Sequence, residues 1–154
     1  MRIEKTILSR ALCLAALAAP LLSCSMAKEE ELMQELTRGY WQEETSQAQR
    51  LVRFSDSEQI FYYVCSGPDA AGGYDACYDT SIQTYTKYAI DFRNGRLCLL
   101  PDAWYDILVL NGSTLTLSGD DGENVKFMKI PAEAVRIISR EEFLDKHPTS
   151  LPER

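Results

Sequence analysis

The sequence has a single histidine, His147, and it lies near the end of the chain. A lone histidine there leaves no natural base for a Ser-His-Asp set and no imidazole cluster for zinc. No Gly-x-Ser-x-Gly elbow and no phosphate-cradling glycine loop occurs. Basic residues are scarce: 16 lysines and arginines against 23 aspartates and glutamates give a net charge of −7. With no basic cluster and no RNA-binding aromatic motif, nucleic acid and anionic lipid are poor partners. No apolar run reaches the roughly 20 residues that a bilayer-spanning helix needs, and no internal repeat is present. Asp102 and Asp106 flank Trp104, but residues four apart on a strand stand about 13 Å apart, too far for a glycosidase pair. They read as solvated turn and face residues. The run Asp120-Asp121-Gly122-Glu123-Asn124 lacks the alternating oxygen ladder of a calcium loop and reads as an Asp-Gly turn. The expectation is a non-enzymatic protein with no catalytic residues, no cofactor and no metal.

What is present begins at the amino terminus. Arg2, Lys5 and Arg10 stand against one acid, Glu4, and Ala11 to Leu22 is uncharged and apolar. A short basic segment followed by a short apolar one has the layout of a secretory signal. It ends in Leu21-Leu22-Ser23-Cys24, which resembles the lipobox of bacterial lipoproteins. That resemblance implies cleavage before Cys24 and acylation of its sulfur, which would leave residues 1–23 as signal peptide and Cys24 as the link to a lipid bilayer. The alternative is an ordinary signal whose Cys24 becomes a free thiol or half a disulfide. Two or more acyl chains hold a protein firmly on a membrane where one does not. Residues 1–23 carry three basic groups and one acid, so the remainder has 13 basic and 22 acidic residues, a net of −9. Its 131 residues suit one domain with one core. Residues 24–31 read as a lipidated tether. Lys28-Glu29-Glu30-Glu31 resembles the surface-export signal of Bacteroidota lipoproteins, which implies the outer membrane and its outer face. The same acids equally suit a helix start, where they complement the positive end of the dipole. Leu32, Met33 and Leu36 give that helix an apolar stripe up to Gly39.

Beyond Gly39 the texture is β. Trp41 marks a short first strand, Leu51–Phe54 a second and the aromatic run Gln59–Cys65 a third. Ser66 to Ser81, rich in Gly, Asp and Ala, reads as a long loop. Thr84 to Phe92 alternates as a strand. Asn94-Gly95, Asn111-Gly112 and Asp121-Gly122 supply the positive φ of tight hairpins. They delimit strands at Arg96–Leu100, Trp104–Leu110, Ser113–Ser118 and Asn124–Ile130. Ala132–Ser139 reads as strand or turn. Arg140–Lys146 reads as a short helix opened by Ser139 with Glu142 three residues on, a capping box.

Three pieces in this order resemble the lipocalin-like lipoproteins of Bacteroidota. They are Gly39-Tyr40-Trp41 after a helix, Tyr88–Phe92 leading through Asn94-Gly95 to Leu97-Cys98-Leu99, and Trp104–Leu110 followed by Ser113–Leu117. The match covers residues 32–130. It implies an up-and-down barrel of about eight short strands and an apolar ligand, and it names no catalytic residue. The expected fold is all-β: a small antiparallel lipocalin-like barrel over residues 32–146, with a short helix at each end and a loose tail at 147–154.

Five cysteines are present. With Cys13 removed and Cys24 acylated, Cys65, Cys77 and Cys98 remain, an odd number for an oxidising compartment. Cys65 and Cys77 bracket the long loop, and a bridge between them would contribute roughly 3 kcal/mol. The alternative is three reduced, packed thiols. Most aromatics of a small barrel must be core, because about eight strands leave an interior only just filled by side chains. The functional alternative is a pocket at the mouth formed by Trp41, Phe61, Tyr63, Tyr88 and Trp104. The sequence therefore points to an envelope lipoprotein that binds a small apolar ligand or a partner protein. Other readings are an accessory subunit or enzyme inhibitor acting through the Ser66–Ser81 loop of a solid barrel, and, last, an enzyme. Replacing the anchor tests the address: Cys24→Ser moves the protein from the membrane to the soluble fraction, read by fractionation and immunoblot, and retention on membranes refutes it.

Overall fold

The computed structural model describes residues 26–44, 49–82 and 86–149. Cys24 and the signal segment lie outside them. The chain divides into two units, 1–33 and 34–154. In the first, the described residues 26–33 are helical, so the expected tether is helix from Met26 onward. This helix, α1 (26–37), ends in the second unit, which holds every described strand.

Among the described residues ten strands follow in the order β1 (Tyr40–Glu43), β2 (Arg50–Phe54), β3 (Ile60–Cys65), β4 (Tyr74–Tyr78), β5 (Tyr88–Asp91), β6 (Arg96–Leu99), β7 (Ala103–Leu110), β8 (Thr114–Ser118), β9 (Asn124–Ile130) and β10 (Val135–Ile137). Helix α2 (Arg140–Lys146) comes after them. All ten belong to one sheet, ordered β10-β4-β3-β2-β1-β9-β8-β7-β6-β5. The all-β class is as expected. The continuous ladder does not close into a ring, because β10 and β5 are its two edges. An isolated antiparallel bridge, Gln59 to Lys87, brings the head of β5 to the head of β3. Two backbone hydrogen bonds flank it: Ile60 N–H to Thr86 O at 2.9 Å and Tyr88 N–H to Glu58 O at 3.1 Å.

Two elements depart from a plain meander. The Ser66–Ser81 stretch is not all loop. Asp69 Oδ1 accepts from the amides of Ala71 and Gly73, both at 2.8 Å, and Gly72 takes φ +82°. That tight turn releases Tyr74–Tyr78 to pair antiparallel with β3. The Gly, Asp and Ala around it masked a strand whose own residues, Tyr-Asp-Ala-Cys-Tyr, are mostly apolar. Strand β10 then pairs with β4 in parallel, Val135 opposite Tyr74.

Side-chain alternation places the cores. In β8 Leu115 and Leu117 are buried while the threonines beside them are half-buried. They join Leu36, Trp41, Phe54, Ile60, Tyr88 and Leu97 in the main core. Strand β3 is apolar on both faces, the pattern of a strand covered twice. Its Tyr63 and Cys65 pack with Tyr40, Leu51 and Ala76 on one side. Its Val64 packs with Cys77 and Phe143 on the other, so α2 seats its one buried side chain there. The helix begins as the capping signal requires, Glu142 N–H donating to Ser139 Oγ at 3.1 Å. The expected loose tail begins with an anchored residue: His147 Nε2 lies 3.0 Å from Asp75 Oδ2 and its ring packs on Phe143.

The Gly39-Tyr40-Trp41 junction has a physical reading. Gly39 takes φ +83°, and a Cβ there would lie 2.8 Å from the backbone oxygen of Ile130. Only glycine lets the chain turn from α1 into β1 this close to β9. Gly39→Ala should cost about 2–4 kcal/mol in urea denaturation, combining strain at positive φ with a backbone clash. Gly95→Ala is the control: φ is +63° but its Cβ would meet nothing within 4 Å, so it should cost only about 1 kcal/mol. Equal costs would refute the steric account.

Candidate functional site

A partly open cavity of about 230 Å³ lies against the inner face of the sheet. Strand β2 turns Arg50, Val52 and Phe54 toward it, and β3 turns Ile60 and Tyr62. Leu99, Leu117 and Phe127 from β6, β8 and β9, with Ile82 before β5, complete its apolar wall, and Glu43 adds an acid from β1. Phe54, Ile60 and Leu117 are buried, whereas the Arg50 side chain is 40% exposed. The cavity therefore runs from an apolar floor to a charged rim.

Beside Arg50 stands Asp79, which follows β4 and is buried. Its Oδ1 accepts from the amide of Ser81 at 3.0 Å and from its hydroxyl at 2.5 Å. Its Oδ2 stands 3.6 Å from Arg50 Nε. A buried carboxylate needs such partners, because an unpaired one would cost several kcal/mol in desolvation.

None of the five aromatics expected at a pocket lines this cavity. Trp41 is fully buried in the core, its Nε1–H donating to Leu36 O at 2.8 Å. Tyr88 is also core, with its hydroxyl on Ser55 O, and burial pushes its phenol up to about 12. Phe61 and Tyr63 point to the opposite face of β3, where Tyr63 packs edge-on against Tyr40 and Tyr78. Burial raises the Tyr63 phenol, and Tyr40 adds to the effect. Trp104 sits on the outside, 38% exposed, with the Arg96 guanidinium 5.3 Å from its ring. The aromatics missed are Phe54, Tyr62 and Phe127, and the charged Glu43 and Arg50 were missed with them. In a run of four consecutive apolar or aromatic residues both strand phases are equally hydrophobic, so alternation could not choose between Phe61/Tyr63 and Ile60/Tyr62.

The expected Cys65–Cys77 bridge is not formed; Cys65, Cys77 and Cys98 are all free and buried. Register is the reason. Cys65 stands opposite Ala76 and Val64 opposite Cys77, so the two thiols point to opposite faces, and a disulfide needs converging Cβ vectors. Burial pushes the Cys65 thiol up to about 12 and raises that of Cys77. Asp106 is held by Arg96 at 3.0 Å, and Asp121 accepts the Glu123 amide in a turn. Among the described residues no group of three His, Cys, Asp or Glu side chains converges to hold a metal ion, and no helix is long and apolar enough to cross a membrane. Comparison with protein-family models, with curated proteins and with solved structures finds no match.

The Asp75 carboxyl is held below the ordinary carboxylate range, first by its hydrogen bond with His147 and then by Arg136, whose Nη2 lies 2.6 Å away. A folded-state pKa below the unfolded value contributes stability that is complete above the unfolded value and lost as pH falls through the folded one. Asp75→Asn should therefore lower Tm at pH 7, and the gap to the parent should narrow below about pH 4. A gap that stays constant down to about pH 2 would refute this.

Proposed function

We propose that this chain is a non-enzymatic envelope lipoprotein, held on the outer membrane through acylated Cys24, whose lipocalin-like domain carries a small apolar ligand. The observation that carries the reading is the 230 Å³ apolar cavity. An apolar cavity of roughly 150 Å³ already takes benzene, so a single ring or a short branched chain fits here. The lipocalin-like form draws support from the Gln59–Lys87 bridge. It sets β5, one edge of the sheet, beside the head of β3, so that the eight strands β3-β2-β1-β9-β8-β7-β6-β5 approach a ring without closing it. Eight strands is the size at which a barrel holds one small ligand. A solid domain acting only through its loops would have no use for this cavity. Native mass spectrometry of the protein purified from its own host in detergent tests the reading. A small adduct is expected, lost on unfolding and absent from Val52→Trp, which fills the cavity. A bare mass for the parent protein overturns it.

A further inference from the structure

Strand β7 carries a bulge where it faces β8. Ile107 stands opposite Leu117 and Leu110 opposite Leu115, and the register shifts between Ile107 and Val109. Leu115 and Leu117 are buried, and Ile107 and Leu110 pack against the main core with them. A regular strand would turn Val109 inward as well. The extra residue instead turns two neighbours, Leu108 and Val109, outward together, 54% and 39% exposed. Val109 stands opposite Thr116, and Thr114, two residues back on β8, is paired with Met128 of β9. Both threonines are half-buried, and Met128 is 40% exposed. Apolar surface gathered in this way marks a contact site, where a single exposed apolar residue does not. The charges beside it are neutralised in pairs. Lys126, opposite Thr116, holds Glu44 at 3.0 Å, and Asp106 holds Arg96 at 3.0 Å.

The place of this face in the fold says what covers it. It adjoins the turn at residues 111–113. Ser113 O accepts from Lys129 N–H at 2.9 Å, and Lys129 Nζ lies 2.6 Å from Glu35 O. A Cβ on Gly112 would lie 3.8 Å from the Glu35 carboxylate. Gln34, one residue earlier, opens the unit that holds the sheet. It stands ten positions beyond Cys24, a span of at most about 35 Å even when fully extended. Resting on the acylation of Cys24 proposed above, we propose that the face formed by Leu108, Val109 and Met128 docks on the zwitterionic lipid of the bilayer that holds the anchor. Three side chains alone would not keep a protein there, but the tether returns this end of the domain to the surface each time the contact opens. An acidic domain is repelled by anionic lipid, so an uncharged face is the one suited to meet the bilayer. The apolar side chains then enter the boundary between head groups and acyl chains, and the threonine hydroxyls stay at head-group level.

Quenching by brominated lipid tests this on the acylated full chain, purified in detergent and reconstituted into phosphatidylcholine–phosphatidylethanolamine vesicles. The chain has two tryptophans, Trp41 fully buried and Trp104 38% exposed. Trp104→Phe removes the exposed one. Into that background Leu108→Trp sets a reporter in the face. Ile137→Trp is the control, at a site 48% exposed on β10, one edge of the sheet. Val109→Trp replaces the first reporter if the larger ring at 108 lowers stability. The emission added by Leu108→Trp should fall about twofold or more when the acyl chains are brominated near the head groups, as the depth of a side chain at this boundary implies. That of Ile137→Trp should not change. Equal quenching of both reporters, or of neither, overturns the docking surface and leaves the anchor standing, provided the protein floats with the vesicles. A blue-shifted Leu108→Trp emission without bromine quenching also overturns it, since a second copy of the chain then covers the face. Protein that does not float with the vesicles overturns the anchor and this inference together.

Discussion

The Lys129 ammonium is the contact on which the arrangement of the sheet depends. It lies 2.6 Å from the backbone oxygen of Glu35, 2.9 Å from the Glu35 carboxylate and 4.7 Å from the centre of the Trp41 ring. Its side chain is only 8% exposed. One charge thus satisfies a carbonyl at the end of α1, pairs with an acid on that helix and covers the aromatic face of β1, from a position on β9. A buried lysine without such partners would face a desolvation cost of several kcal/mol. Strands β1 and β9 pair through four consecutive registers, from Tyr40–Ile130 to Glu43–Phe127. The Lys129 contacts fix that pairing to the helix end, and the two halves of the sheet meet there.

From that seam the cavity follows. Trp41 lies in the main core, and the alternation of β2 and β3 then decides which side chains line the cavity. Phe54 and Ile60 pack with Trp41 in the main core, and together with Val52 and Tyr62 they line the cavity. The outer face of the same strands is occupied by stacked tyrosines. Phe61, Tyr63 and Tyr78 meet edge-on, and Tyr40 lies beneath the guanidinium of Arg53 at 5.6 Å. Large rings thus crowd one face of these strands, and the cavity lies on the other. Such edge-to-face pairs contribute about 0.5–1.5 kcal/mol each beyond the area they bury.

Much of the fold was legible in the sequence because turns announce themselves chemically. Asn94-Gly95 and Asp121-Gly122 place φ at +63° and +79° on their glycines, and β6, β8 and β9 match the expected spans to within a residue. Gly112 does not take a positive φ, and the strand expected at Thr84–Phe92 is Tyr88–Asp91, residues 83–85 lying outside the described ones. The bounds of α2 and its Ser139 cap were legible for the same reason. What was hidden is tertiary. Tyr74–Tyr78 is a strand because β3 and β10 accept it, and nothing local announces that. A pocket among the aromatics could be expected of a small sheet-built domain, but its lining could not, since the phase of β3 is set by Phe143 and Ala76 on its two sides. The same phase separates Cys65 from Cys77, which in sequence look like natural partners.

The parallel pairing of β10 with β4 has a consequence for assembly. Tyr74 receives its outer neighbour only when Val135 arrives, and Tyr40 likewise waits for Ile130. Contacts between segments so distant along the chain form slowly, since a long loop must close before they reward the closure. A chain delivered amino terminus first can prepare its hairpins β5 to β8 in transit. The outer edge of β4 stays unpaired until β10 has formed, and the cavity wall is incomplete until Phe127 of β9 has joined the sheet beside β1.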